Sequence, residues 1–183
     1  MSISPTMPSS RSTLPHTTGW HWLLIGIAVA VLVAAAWYWF RPELLFVNKT
    51  VNEGLPAAGG ATPASVDQGA AALSSGTFHS VAHETKGTAT IFNLADGREM
   101  VRLTGFQTSN GPDVHVDLVA VPDALDSATV TKADRLDLGT MKGNIGDQNY
   151  DIPKGTNLAK YPAVTIWCKR FDVNFGTAPL KAK

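Results

Sequence analysis

Hydrophobic positions follow two different patterns along this chain, and the change between them divides it. From Trp20 to Phe40 the sequence reads WHWLLIGIAVAVLVAAAWYWF, an unbroken apolar run without Lys, Arg, Asp or Glu. As a helix rising 1.5 Å per residue it would extend about 31 Å, close to the hydrocarbon thickness of a bilayer. Trp20 and Trp22 mark one end, and Trp37, Tyr38 and Trp39 the other. Rings with a polar edge favour the two membrane–water interfaces. The pattern therefore predicts one transmembrane helix over Trp20 to Phe40, with the lipid bilayer as its partner. A cleaved signal peptide is the alternative, since Ala34 to Ala36 offers small residues at a cleavage site. The apolar stretch is longer than a signal core, however, and Arg11 is the one cationic side chain before it. Arg41 and Lys49 on the far side barely outnumber Arg11, so the positive-inside count does not set the orientation.

Around the helix the periodicity disappears. Residues 1–19 are rich in Ser, Thr and Pro and predict a disordered tail. Pro42 stops the helix. Residues Glu43 to Glu53 read as a juxtamembrane piece able to rest on the bilayer, with Asn48-Lys49-Thr50 a formal glycosylation sequon. Ala, Gly, Pro and Ser dominate from Gly54 to Ser75, the composition of a flexible linker. Residues 41–75 are thus expected to be juxtamembrane segment and linker, and 76–183 the folded domain.

From Gly76 onward the period is two. Strands are predicted over Thr77 to Ala82, Thr88 to Leu94, Glu99 to Thr104, Val114 to Val121 and near Arg135 to Leu138, with Asp96-Gly97 as a hairpin turn. Asn110 to Asp113 reads as a tight turn, Gly143 to Asn149 as a polar loop, and Asn157 to Lys160 as one helical turn. Short strands, frequent turn signals and hardly any helix predict an all-β domain, an antiparallel β-sandwich or a barrel-like relative of it.

The longest β-branched and aromatic stretch is Val164 to Phe175, VTIWCKRFDVNF, read as one largely buried strand. Its alternation slips: Val164, Ile166 and Cys168 share one parity, Phe171, Val173 and Phe175 the other. A bulge near Lys169-Arg170 would reconcile them.

Charge narrows the function classes. Fifteen basic and fifteen acidic side chains cancel, which argues against a nucleic-acid partner. Cys168 is the only cysteine, so an intramolecular disulfide and a dithiol mechanism are excluded. It is either core packing or a redox candidate, and the second role needs a partner molecule to form a mixed disulfide, or a ligand function. Arg170, two residues on, would favour the thiolate by roughly 2 kcal/mol at about 7 Å, whereas burial beside Trp167 opposes it. No histidine follows Cys168, as a blue-copper site would want. A haem or metal could draw on Met100, Met141, His79, His83 or His115, or on the pairs His79 with His83 and His115 with Asp117, but their spacing specifies no site. Phosphate-binding, zinc-protease and nucleophile-elbow motifs are absent from the sequence.

An ordered series of motifs supplies a further expectation. Ser75-Gly76-Thr77-Phe78, Gly87-Thr88-Ala89, Val101-Arg102-Leu103, Thr108 to Asp113, Leu138-Gly139, Lys142-Gly143-Asn144, Gln148-Asn149-Tyr150, Ile152-Pro153 and Val164 to Cys168 running on to Phe175-Gly176 resemble the DM-thirteen domain over about residues 73–182. The resemblance implies an all-β fold and a redox role through the cysteine that Cys168 matches. It carries no cofactor and no catalytic set. Its membrane-anchored bacterial members have a similar layout of helix, linker and domain, which implies a single-pass protein of the cell membrane with the C-terminal domain outside the cytoplasm. Any redox partner is then a separate molecule. A non-catalytic envelope binding or scaffold module is the competing expectation.

Overall fold

The computed structural model describes residues 19–40, 47–56 and 70–183. The tail expected over 1–19 and much of the linker expected over 41–75 lie outside the described residues. The chain divides into two units after Phe40. The first contains α1 (Trp20–Phe40), in which no residue is buried. It is long and apolar enough to cross a membrane, with the bounds the sequence predicts.

The second unit is a β-sandwich. One sheet has six strands in the order β1 (Thr50–Asn52), β8 (Ile145–Ile152), β5 (Glu99–Gln107), β4 (Lys86–Asn93), β2 (Ala71–Thr77) and β11 (Lys181–Ala182). The other has five, β3 (His79–Ser80), β10 (Val173–Pro179), β9 (Ala163–Cys168), β6 (Val114–Val119) and β7 (Arg135–Thr140). Pairing is antiparallel except between β1 and β8. Alternation along each strand does what the period of two requires. Ile91, Val101, Leu103 and Tyr150 of the first sheet meet Val116, Leu118, Val164, Ile166 and Cys168 of the second in one buried core.

Four segments depart from the sequence reading. Val164 to Phe175 is a hairpin, not one strand: residues 169–172 turn, and Asp172 takes the left-handed conformation at φ 52°. Cys168 pairs regularly with Val173 and Trp167 with Asn174, so no bulge lies at Lys169-Arg170. The reversal of the chain accounts for the parity change at Val173 and Phe175; a register shift between Asn174 and Gly176 acts beyond it and brings Ala178 to the core. The expected polar loop Gly143 to Asn149 instead enters β8, an interior strand of its sheet. It tolerates polar residues because they are satisfied. Gln148 donates to the Gly143 carbonyl at 2.8 Å and accepts from Tyr150 Oη at 2.8 Å.

Folded structure also begins earlier than expected. Within the span read as juxtamembrane segment and linker, Thr50–Asn52 forms β1 and Ala71–Ser75 belongs to β2. Gly146 has φ 103°, and a Cβ there would stand 2.1 Å from the Val51 carbonyl oxygen, so glycine alone admits β1 at this edge. Glu53 then accepts from Lys142 Nζ at 2.8 and 2.9 Å and from the Asn149 N–H at 2.8 Å. The fourth departure is α2 (Ser127–Lys132), whose Asp126 cap accepts from the Thr129 N–H at 2.6 Å. Six residues are too few to show a helical period.

Candidate functional site at the end of strand β9

Strand β9 carries its two distinctive residues on opposite sides. Cys168 faces the core at 1% exposure, between its register partners Val114 and Val173. It is a free thiol and the last residue of the strand, so its backbone adjoins the turn that bears the exposed Phe171. Arg170 lies in that turn rather than on a strand.

Trp167 faces outward yet is fully buried, because Ala124, Val130 and Val121 of the β6–β7 connection cover it. Arg135 completes the cover, its guanidinium carbon 4.6 Å from the Trp167 ring centre. Next to it, Thr165 donates to Asn174 Oδ1 at 2.7 Å, while Asn174 and Thr177 both donate to the Ala124 carbonyl. The polar atoms on this side are thereby paired, with two exceptions among the described residues. Trp167 Nε1 and Asp117 Oδ1 are buried without a hydrogen-bond partner.

Asp117 belongs to a charged group on the same face. It is 1% exposed, and its Oδ2 accepts from Arg135 at 3.1 Å. His115, two residues earlier on β6, has Nδ1 2.9 Å from Asp137 Oδ1 and Nε2 3.1 Å from Asp113 Oδ1. Lys169 donates to the other oxygen of Asp137. Burial, helped by the charge of Asp137, pushes Asp117 up to about 6 against the pull of Arg135 and His115. Burial also works against ionised Asp137, but Lys169, His115 and the Gly139 N–H outweigh it and hold that carboxyl at about 2.

The remaining candidates do not converge on the thiol. His79 bonds Asp123 at 2.7 Å, and His83 stacks on Phe175 with ring centres 3.9 Å apart. Met141 lies in the core, and Met100 is buried in β5. A haem iron on Cys168 does not fit, because its sulfur is enclosed by packed side chains of both sheets. Of the pairs considered from sequence, His115 and Asp117 do come together in one charged group. The sequence does not single out Asp113, Arg135, Asp137 or Lys169 as site residues, because the strand order that joins β6, β7 and β9 is not written in it.

No curated protein and no solved structure matches the chain significantly. The domain itself is nevertheless familiar. Residues 77–180, more than half of the chain and everything from the end of β2 through β10, match the model of the family described as Electron transfer DM13, and the protein belongs to that family.

Proposed function

We propose that this protein is a membrane-anchored redox domain, held by α1 with the β-sandwich outside the cytoplasm, and that Cys168 exchanges electrons with a separate partner molecule. Membership of the electron-transfer family carries this reading. The helix supplies an anchor of suitable length, and the balanced charge is consistent with a partner other than nucleic acid. Burial dictates how the thiol would act. A thiol at 1% exposure is reached only when the β9–β10 hairpin end opens, and each 1.4 kcal/mol of opening slows its reaction about tenfold. Cys168 ends the ladders of β9 with both β10 and β6, so an opening there breaks the terminal pairs with Val173 and Val114.

The same burial favours a second reading, a binding or scaffold module in which Cys168 is packing material. Reaction of the full chain in detergent with a thiol reagent, measured across low denaturant concentrations, separates them. Slow reaction with little denaturant dependence reports local opening and supports the redox reading. Reaction only on global unfolding, from a protein without visible absorption, overturns it and leaves the scaffold reading. Protease digestion of the domain on intact cells tests its side of the membrane; protection would refute an extracytoplasmic domain.

A further inference from the structure

We propose that His115, Asp117 and Asp137 form a binding site for a divalent first-row transition-metal ion on the outer face of the five-stranded sheet. One donor atom from each residue lies within 4.8 Å of the other two. All three stand on paired strands, with His115 and Asp117 alternating on β6 and Asp137 opposite Asp117 on β7. Donors on strands are held more closely than donors on loops.

His115 has a carboxylate oxygen at each ring nitrogen. A protonated imidazole would donate to both, whereas a neutral one carries a single N–H and leaves the other nitrogen as a donor atom for a metal. With the proton on Nε2 and directed at Asp113, Nδ1 faces Asp137, an arrangement in which an outer carboxylate fixes the orientation of a metal-binding ring. The 2.9 Å between Nδ1 and Asp137 Oδ1 also matches two adjacent ligands, which stand about 3 Å apart when each bond is roughly 2.0–2.2 Å.

The observation that points to a cation is Asp117 Oδ1, a buried carboxylate oxygen without a hydrogen-bond partner. Arg135 holds the other oxygen of Asp117, and Lys169 holds the second oxygen of Asp137. Asp117 is thus fixed through one oxygen and offers the other, while Asp137 Oδ1 also accepts from the Gly139 N–H at 2.9 Å and has a second lone pair for a ligand. Three carboxylates, counting Asp113, face two cationic side chains, which leaves the group receptive to positive charge. One imidazole nitrogen with two carboxylate oxygens suits zinc, cobalt, iron or manganese, whereas calcium and magnesium prefer all-oxygen shells. Cys168 is on the opposite face of β9, so the site contains no thiolate and does not depend on the redox reading.

Cobalt(II) titration of the tag-free full chain in detergent tests this. The expected result is one Co²⁺ per chain with visible d–d absorption and no thiolate-to-cobalt charge-transfer band. Calcium and magnesium in hundredfold excess should not displace it. His115→Gln and Asp137→Asn should each weaken binding at least tenfold, with folding verified by circular dichroism, while Cys168→Ala leaves it unchanged. Absence of saturable binding overturns the proposal, as does binding equal in wild type and both variants, or a thiolate band.

Discussion

Replacement of Cys168 by serine isolates the consequence of its burial. Sγ lies in the shared core at 1% exposure, among valine, isoleucine and phenylalanine side chains. A serine there adds a hydroxyl to apolar surroundings, and a buried polar group left unsatisfied costs about 1–3 kcal/mol. Alanine deletes one heavy atom without adding polarity, so its cost should be about 1 kcal/mol, the scale of a buried methylene. Both fit within the usual 5–15 kcal/mol of domain stability, and the variants should fold. For a domain of this size about 4 °C of melting temperature accompanies each kcal/mol, which places serine roughly 4–12 °C below wild type. Urea unfolding of the full chain in detergent, followed by circular dichroism with the helix signal as a constant baseline, measures the order. Wild type should exceed alanine, and alanine should equal or exceed serine. A serine variant as stable as wild type would refute the apolar burial of the sulfur. If alanine retains the fold but loses reaction with a redox partner, the thiol has a chemical role; if nothing but stability changes, it is packing.

Other outcomes follow from the edge of the six-stranded sheet and from His83. Gly143→Ala places a Cβ 2.4 Å from the Lys49 carbonyl oxygen, so it should displace β1 and speed hydrogen exchange of Thr50–Asn52 without unfolding the core. Unchanged exchange there would contradict the parallel pairing of β1. Glu53→Gln removes the charge that Lys142 and Asn149 hold, at an expected cost of about 1–2 kcal/mol by denaturant unfolding. Burial raises the Glu53 pKa, but Lys142, the Asn149 N–H and Arg102 together bring it below its ordinary 4.5. That contribution is therefore present above pH 4.5 and lost as pH falls through the lower folded value; in Glu53→Gln this acid dependence should shrink. Burial against Phe175 lowers the His83 pKa from 6.5. The unfolded chain then binds more protons below pH 6.5, so stability should decline as pH drops from 6.5 toward the folded value. His83→Phe should flatten that segment of the curve, and an unaltered slope would assign it to another group.

Local pattern alone determined several features of this protein. Charge-free length and aromatic ends defined α1, and period-two alternation defined β4, β5 and β6, because burial on one side writes itself directly into the order of residues. The parity shared by Val164, Ile166 and Cys168 was legible too, but that this face is the core was not. Tertiary structure decided where alternation has no partner to name. The change of parity after Cys168 is equally compatible with a bulge or a reversal, and only pairing with Val173 shows the hairpin. The strand over Gln148 and Asn149 looks like a loop until Gly143, Tyr150 and the segment at Glu53 satisfy its polar groups. Likewise β1 is a strand by virtue of an edge about a hundred residues away. The meeting of His115, Asp117, Asp137 and Lys169 depends on β7, β6 and β9 lying side by side, an order set by packing of the whole sandwich and by no residue in its own neighbourhood.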